Sequence, residues 1–193
     1  MPKHITFDRE VVIKKVTELF WRKGYHGTSM QDLVDTTGLN RSSLYNTFGD
    51  KFALFLESMK YYQQQEQGAA YSHLFKSGSA VECIQSFFIA LIDNIEEDKD
   101  KKGCYLINCT AELSATDPHV RDFLTDNQHS LIRAFTDLIH SGQQNGEIPA
   151  TKDARHLALY LFSSLQGLRL TGMLNNSRKE LEGIAEEIMS SLG

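Results

Sequence analysis

Little in this sequence breaks a helix. Only three prolines occur in 193 residues, at positions 2, 118 and 149, and no stretch alternates β-branched with polar residues as a half-buried strand would. Sheet-based folds are thereby excluded, and an all-α chain is expected. Cysteine is equally scarce. Cys83, Cys104 and Cys109 lack a paired C-x-x-C spacing and leave an odd thiol over, which excludes a disulfide framework and a structural zinc site and fits a reducing cytoplasm. The longest apolar runs, such as Phe87-Phe88-Ile89-Ala90-Leu91-Ile92, fall far short of the roughly 20 residues that cross a bilayer. The opening Met1-Pro2-Lys3-His4 carries no secretory signal, so a cytoplasmic protein with no membrane partner is expected. G-x-S-x-G, P-loop and H-E-x-x-H motifs are missing too.

An excess of positive charge is also lacking, since the net charge is −5. The charge is nevertheless uneven. Residues 1–60 hold nine Lys/Arg against seven Asp/Glu, and residues 61–193 hold eleven against eighteen. A basic head on an acidic body suits docking on DNA at one end only. With 41% apolar residues, the chain can bury a good core without metals or disulfides.

What is present is helical periodicity with clear punctuation. Asp8 to Lys23 carries Val12, Ile13, Val16, Leu19 and Phe20 on one stripe, and Gly24 ends it. Thr28-Ser29-Met30-Gln31 has capping-box spacing and opens a short second helix, closed by Gly38. Asn40 caps a third, Arg41 to Asn46, and Phe48-Gly49-Asp50 breaks it and starts a fourth. Val81, Ile84, Phe88, Leu91, Ile92 and Ile95 mark a fifth, followed by a charged loop, residues 96–102, and a short sixth helix, residues 103–113. Asp117-Pro118 opens a seventh that runs to about Gln143. An eighth ends near Leu174, and Ser177 to Leu192 is the ninth.

Two short helices joined by a glycine turn, the second headed by small polar and basic residues, form the arrangement that lays a helix N-terminus in the major groove. Ser42 and Ser43 let the backbone approach, Arg41 reaches a guanine edge or a phosphate, and Asn40 presents its amide. Val34, Leu39, Leu44, Tyr45 and Phe48 are placed to pack the unit. An ordinary helical hairpin, with Asn40 merely a cap and Arg41 solvated, fits the same spacing, and the pattern alone leaves both readings open.

The segments Gly24-Tyr25-His26-Gly27-Thr28-Ser29-Met30-Gln31-Asp32-Leu33, Gly38-Leu39-Asn40-Arg41-Ser42-Ser43-Leu44-Tyr45 and Phe48-Gly49-Asp50-Lys51 resemble the N-terminal signature of TetR-type regulators. The likeness covers residues 8–55 without a gap, with Phe20, Gly24, Thr28, Gly38, Leu44, Tyr45, Phe48 and Lys51 at the family's spacing. It implies a three-helix helix-turn-helix domain over residues 1–50 and a six-helix effector and dimerisation bundle over residues 51–193. The function implied is that of a bacterial, nucleoid-associated repressor, released by a small-molecule effector from palindromic double-stranded operator DNA, with no cofactor, metal or catalytic residue. Thr28 and Ser29 then hold one phosphate, and Tyr45 and Lys51 another. Arg41, Ser42, Asn46 and Thr47 lie nearest the bases, with Asn40 beside the backbone. Many members carry aromatic residues, or an aromatic and a histidine, where this chain has Asn46 and Thr47, so its operator is expected to differ.

A recognition helix this short requires two heads about one DNA turn apart, roughly 34–36 Å, hence a homodimer. Leu157, Leu161, Ser164, Leu168, Leu181, Ala185 and Ile188 are the expected seam; the alternative is that they fill the protomer's own core. Phe87, Phe88, Ile107, Phe123, Phe135, Tyr160 and Phe162 are expected to line an effector pocket with Cys104, and Asn108, Asn127 and Arg169 to supply its polar anchors. Plain core is again the alternative. Cys104 follows Lys101-Lys102-Gly103 at a helix start, a setting that suits a reactive thiolate sensing electrophiles, though a buried inert thiol fits equally. Helix four, residues 51–67, is expected to transmit the signal. Asp126/His129, Asp137/His140 and Asp153/His156 share helix faces as di-iron ligands do, but the inward glutamates such sites need are missing, and capping accounts for the pairs. A helical protein-binding adaptor is the remaining class.

Overall fold

Each of the first four helices begins at a side chain that accepts an orphan backbone N–H. Asp8 accepts from Glu10 at 2.9 Å and starts α1, Arg9–Lys23. Ser29 accepts from Asp32 at 3.1 Å and starts α2, Met30–Thr37. Asn40 does the same for α3, Arg41–Phe48, and Asp50 for α4, Lys51–Tyr62. The capping box therefore pairs Ser29 with Asp32, one residue later than the spacing of Thr28 and Gln31 suggests. Thr28 is displaced from the role because it is buried and its hydroxyl donates to the Gly24 carbonyl at 2.7 Å.

The computed structural model describes residues 7–67, 71–175 and 177–193. The remaining helices are α5 (Ala80–Glu97), α6 (Tyr105–Leu113), α7 (Pro118–Gln144), α8 (Ala154–Leu174) and α9 (Arg178–Ser190). Two short turns, the wider π-helical Gln63–Gln67 that continues α4 and the 3-10 turn Ser72–Phe75, lie between α4 and α5. No strand occurs among the described residues.

Apolar side chains gather into two cores. One joins α1 to α4 through Val16, Phe20, Leu33, Leu44, Leu54, Phe55 and Met59, and it extends to Tyr105, Cys109 and Leu113 on α6. Phe20 meets Phe55 edge-on at 5.2 Å. Burial of such rings, at about 1.5–3 kcal/mol each, fixes α4 to the head, although a boundary at residue 50 assigns it to the body. The other core fills the space between α5, α7, α8 and α9.

That second core absorbs several residues to which the sequence reading gave other roles. Leu161, Leu168, Leu181, Ala185 and Ile188 are buried in it and Leu157 packs against it, so they belong to the protomer rather than to an outer seam. Ser164 is half-buried. Phe87, Phe88 and Phe135 are fully buried there too, Phe87 meeting each of the others edge-on at 5.4 Å, so their rings are spent on one another and on this core.

Candidate nucleic-acid interface and effector cavity

The turn between α2 and α3 depends on Gly38, whose φ of +74° is left-handed and whose N–H returns to the Val34 carbonyl at 2.9 Å. Leu39, Leu44 and Phe48 bury the inner side of the unit. Arg41, Ser42, Tyr45 and Asn46 are exposed together, and their spacing puts them on one helix face; Ser43 and Thr47 are half-buried beside them. Tyr45 is 45% exposed and so contributes to this face rather than to the packing. The Asn40 carboxamide oxygen is used in the cap, which leaves its NH2 for an outside partner.

The sequence reading missed what holds α3 in place. Arg9 grips Glu57 in a bidentate pair at 2.7 and 2.8 Å, donates to the Thr47 carbonyl at 3.2 Å and lies 4.5 Å from the Phe48 ring. One guanidinium thus ties α1, α3 and α4 together. No local pattern signals a contact between residues 48 positions apart. Lys51 is also internal: its ammonium donates to the carbonyls of Tyr25 and Thr28 at 2.9 and 2.8 Å and sits 4.2 Å from the Tyr25 ring. One of its three donors is left for a phosphate. Thr28, being buried, presents no hydroxyl to DNA. The Ser29 hydroxyl donates to Asp32 at 2.7 Å. Lys23 first, then Ser29, holds the Asp32 carboxyl well below the usual carboxylate range.

Two cavities meet at Cys104 and Arg169. One, of about 380 Å³, opens between α1, α4 and the 98–103 loop and has mixed charge, with Glu18, Glu97, Asp98 and Asp100 facing Lys99, Lys101 and Lys102. The other, of about 330 Å³, lies between α6, α7 and α8. Of the expected pocket residues it brings together Cys104, Ile107, Asn127, Phe162 and Arg169. Asn108 lines neither cavity, since its amide donates to the Lys102 carbonyl at 2.9 Å. Phe123 packs half-buried against the head core, and Tyr160 points outward, 45% exposed. Arg121, Leu124, Thr125 and Gln128 were missed, although their i, i+3, i+4, i+7 spacing marks one face of α7.

The second cavity's wall is a polar cluster. Arg169 donates to the Cys104 sulfur at 2.7 Å, the Tyr62 hydroxyl lies 3.7 Å from the same sulfur, and Gln63 donates to Asn127 at 2.8 Å. Burial pushes the Tyr71 hydroxyl up to about 12 and that of Tyr62 well above its ordinary value, so both stay protonated near neutrality. Burial likewise pushes the Cys109 thiol up, which makes it an unreactive thiol.

Helix α6 connects cavity to head. Leu106, Ile107 and Thr110 line the cavity, while the Glu112 carboxylate accepts the N–H groups of Tyr25 and His26 at 3.0 and 2.8 Å in the α1–α2 turn. Tyr105 and Ser58 join their hydroxyls at 2.8 Å, and Trp21 donates to the Gly103 carbonyl at 3.1 Å. A side chain at Gly24, with φ +72°, would meet the Glu112 carboxylate at 2.9 Å, so the close approach depends on glycine. The paired Asp/His residues on α7 are exposed, and Asp153 caps α8 by accepting the His156 N–H at 2.7 Å. Among the described residues, no group of three His, Cys, Asp or Glu could hold a metal ion.

Comparison with known proteins agrees with this architecture. Residues 12–58 match the family model "Bacterial regulatory proteins, tetR family", and residues 80–188 match "Tetracyclin repressor-like, C-terminal domain". The chain is 30% identical over 193 residues to the uncharacterised HTH-type transcriptional regulator YezE of Bacillus subtilis, covering 100% of both chains. It is 31% identical over 180 residues to the HTH-type transcriptional repressor ComR of Escherichia coli, covering 93% of this chain and 86% of that one. Among solved structures, a cysteine mutant of the TetR family regulator CifR in complex with 26-base-pair operator DNA superposes with a TM-score of 0.86 at 26% identity, covering 100% of both chains.

Proposed function

The chain belongs to the tetR family of bacterial regulatory proteins, and from that premise we propose that it represses transcription by holding palindromic DNA with two copies of α3 and is released by a small molecule in the cavity between α6, α7 and α8. It is a DNA-binding transcriptional regulator, not an enzyme. The observation that carries the reading is the outer face of α3, where Arg41, Ser42, Tyr45 and Asn46 stand exposed on a helix whose other side is buried. On DNA, Arg41 and Asn46 read base edges, whereas Tyr45, Lys51 and the backbone N–H groups at the α2 N-terminus hold phosphates.

The dimer face is the outer side of α8 and α9. Tyr160, Leu170 and Leu174 are exposed with Ser163 and Gly167 at alternating spacings of three and four, the pattern of a helix-helix seam, and Ile184 adds to it from α9. A side chain at Gly167 or Gly183 would meet nothing in the protomer, so there a partner helix can approach closely. A cytoplasmic, nucleoid-bound location follows from the function; among the described residues no helix is long and apolar enough to cross a membrane.

Release follows if ligand favours a position of α6 that moves the α1–α2 turn through Glu112, because a ligand shifts an equilibrium only by its differential affinity for the two states. Helix α4, through Tyr62 and Gln63, touches the same cavity wall. The test is selection of bound duplexes from a random pool followed by titration of the winner at several salt concentrations. A symmetric site, salt-sensitive affinity and its loss in Tyr45→Ala with unchanged circular dichroism are expected. No preferred duplex, or a stable monomer at micromolar concentration, overturns the reading.

A further inference from the structure

The body of this protein is acidic, with eighteen carboxylates against eleven Lys/Arg over residues 61–193, yet its second cavity runs against that balance. Arg169 and Arg121 both line it, and among the described residues no aspartate or glutamate does. Arg169 is the unusual member. Arg169 is half-buried, no ion pair among the described residues includes it, and its guanidinium donates to the Cys104 sulfur. Guanidinium groups drawn out of water normally find a carboxylate. The hydroxyls of Tyr62 and Tyr71 lie near enough to interact with it, and burial keeps both protonated, so neither supplies the missing charge. Apolar lining comes from Phe162 and Leu165, on the same helix as Arg169, and from Ile107 and Leu124 on the two neighbouring helices.

We propose that this cavity takes a small organic carboxylate, whose anionic head pairs with the Arg169 guanidinium while its hydrocarbon body lies on Ile107, Leu124, Phe162 and Leu165. The planar guanidinium offers five donors in a fork that matches a carboxylate, and Nη1 alone is engaged by sulfur. Asn127 and Tyr71 supply neutral polar groups beside it. Arg121, exposed at the mouth, draws anions in without being part of the pair. The apolar lining favours an organic acid over an inorganic anion, which would gain nothing from it. Bound ligand bridges α6, α7 and α8, so the proposal deepens the effector reading above and rests on it for its consequence on DNA.

The experiment uses the full-length protein and matched probe pairs of one shape and different charge: benzoate with benzamide, phenylacetate with phenylacetamide, and hexanoate with hexanamide, with inorganic phosphate as a further arm. Calorimetry and thermal melting read binding, and fluorescence anisotropy of labelled operator reads release. At least one carboxylate should bind about tenfold to a hundredfold more tightly than its amide, the range of a charge-assisted hydrogen bond. Arg169→Gln should erase that preference, Arg169→Lys should restore part of it, and Arg121→Gln should slow association without abolishing the preference. Equal binding of acid and amide, binding by no carboxylate, a preference that survives in Arg169→Gln, or phosphate binding as tightly as the acids overturns the proposal. The effector reading fails separately: if a carboxylate binds in an Arg169-dependent way and operator affinity does not change, the anion site stands and release falls. If a neutral probe releases operator while no acid binds, release stands and the anion site falls.

Discussion

The outer face of α3 and the inner wall around Arg169 are both polar, and they are built in opposite ways. On α3 the polar groups face away from a continuous apolar core, and among the described residues no side chain pairs with Arg41, Ser42 or Asn46; their positions are set by the Asn40 cap, the Gly38 turn and the Arg9 clamp behind them. Around Arg169 the polar groups hold one another, through the Cys104 sulfur, the Tyr62 hydroxyl and the Gln63–Asn127 pair, and the backbone there includes a π-helical turn. A surface that must meet a rigid duplex gains from packing beneath it, whereas a cavity that must change state on occupation gains from groups that can exchange partners. Helix α6 belongs to both regions, with Tyr105 and Cys109 in the head core and Ile107 and Thr110 on the cavity.

The largest expected effect tests the packing half of that contrast. Phe55→Ala, at a fully buried ring that meets Phe20 and Tyr25, should destabilise the protein by about 3–5 kcal/mol in denaturant unfolding. Phe162→Ala, at a half-buried ring on the cavity wall, should cost less than half as much; equal costs would mean that the two regions are packed alike. Next, Arg41→Ala should weaken operator binding by about 1–3 kcal/mol and relax preference at one base position per half-site. Its melting temperature should stay unchanged, because Arg41 is exposed. Glu112→Gln probes the shared helix. Replacing the charge weakens both bonds to the α1–α2 turn, a loss of about 1–2 kcal/mol, and operator affinity without ligand should then change less than the ligand concentration needed for release. A variant that loses operator binding outright would make Glu112 a part of the head rather than a link.

The head was legible from sequence because its determinants are local. Caps, the glycine at position 38 and the apolar stripe of α1 all lie within a few residues of what they control, and the family resemblance rests on the same segment. The capping box shifted by one residue because two candidates, Thr28 and Ser29, stand side by side, and only burial of Thr28 separates them. The body was legible in its helices but not in its faces. Leu161, Leu168 and Ile188 read equally well as seam or core, since both are apolar stripes at helical spacing. What distinguishes the outer stripe is that Tyr160, Leu170 and Leu174 remain exposed after folding. Phe87 and Phe135 were drawn toward a ligand for a similar reason: periodicity says that a residue is buried, not what it is buried against. The clamp by Arg9 and the link by Glu112 span 48 and 86 to 87 residues, beyond the reach of any window.

The smallest expected effect concerns the cap of α2 and sharpens the claim that the head is set by local bonds. Ser29→Ala removes a cap that donates to and accepts from Asp32, and such losses cost about 1 kcal/mol. Its pH dependence follows from the carboxyl. Lys23 and Ser29 lower the Asp32 value in the folded state, so its contribution is fully present above the unfolded value of about 3.9 and is lost only as pH falls through the lower folded value. Stability curves of wild type and Ser29→Ala should therefore run parallel between pH 7 and pH 5 and begin to converge below about pH 4, as the proton that enters Asp32 breaks in the wild type the box that the variant already lacks. Convergence already at pH 6 would mean that a group other than the Asp32 carboxylate governs the cap.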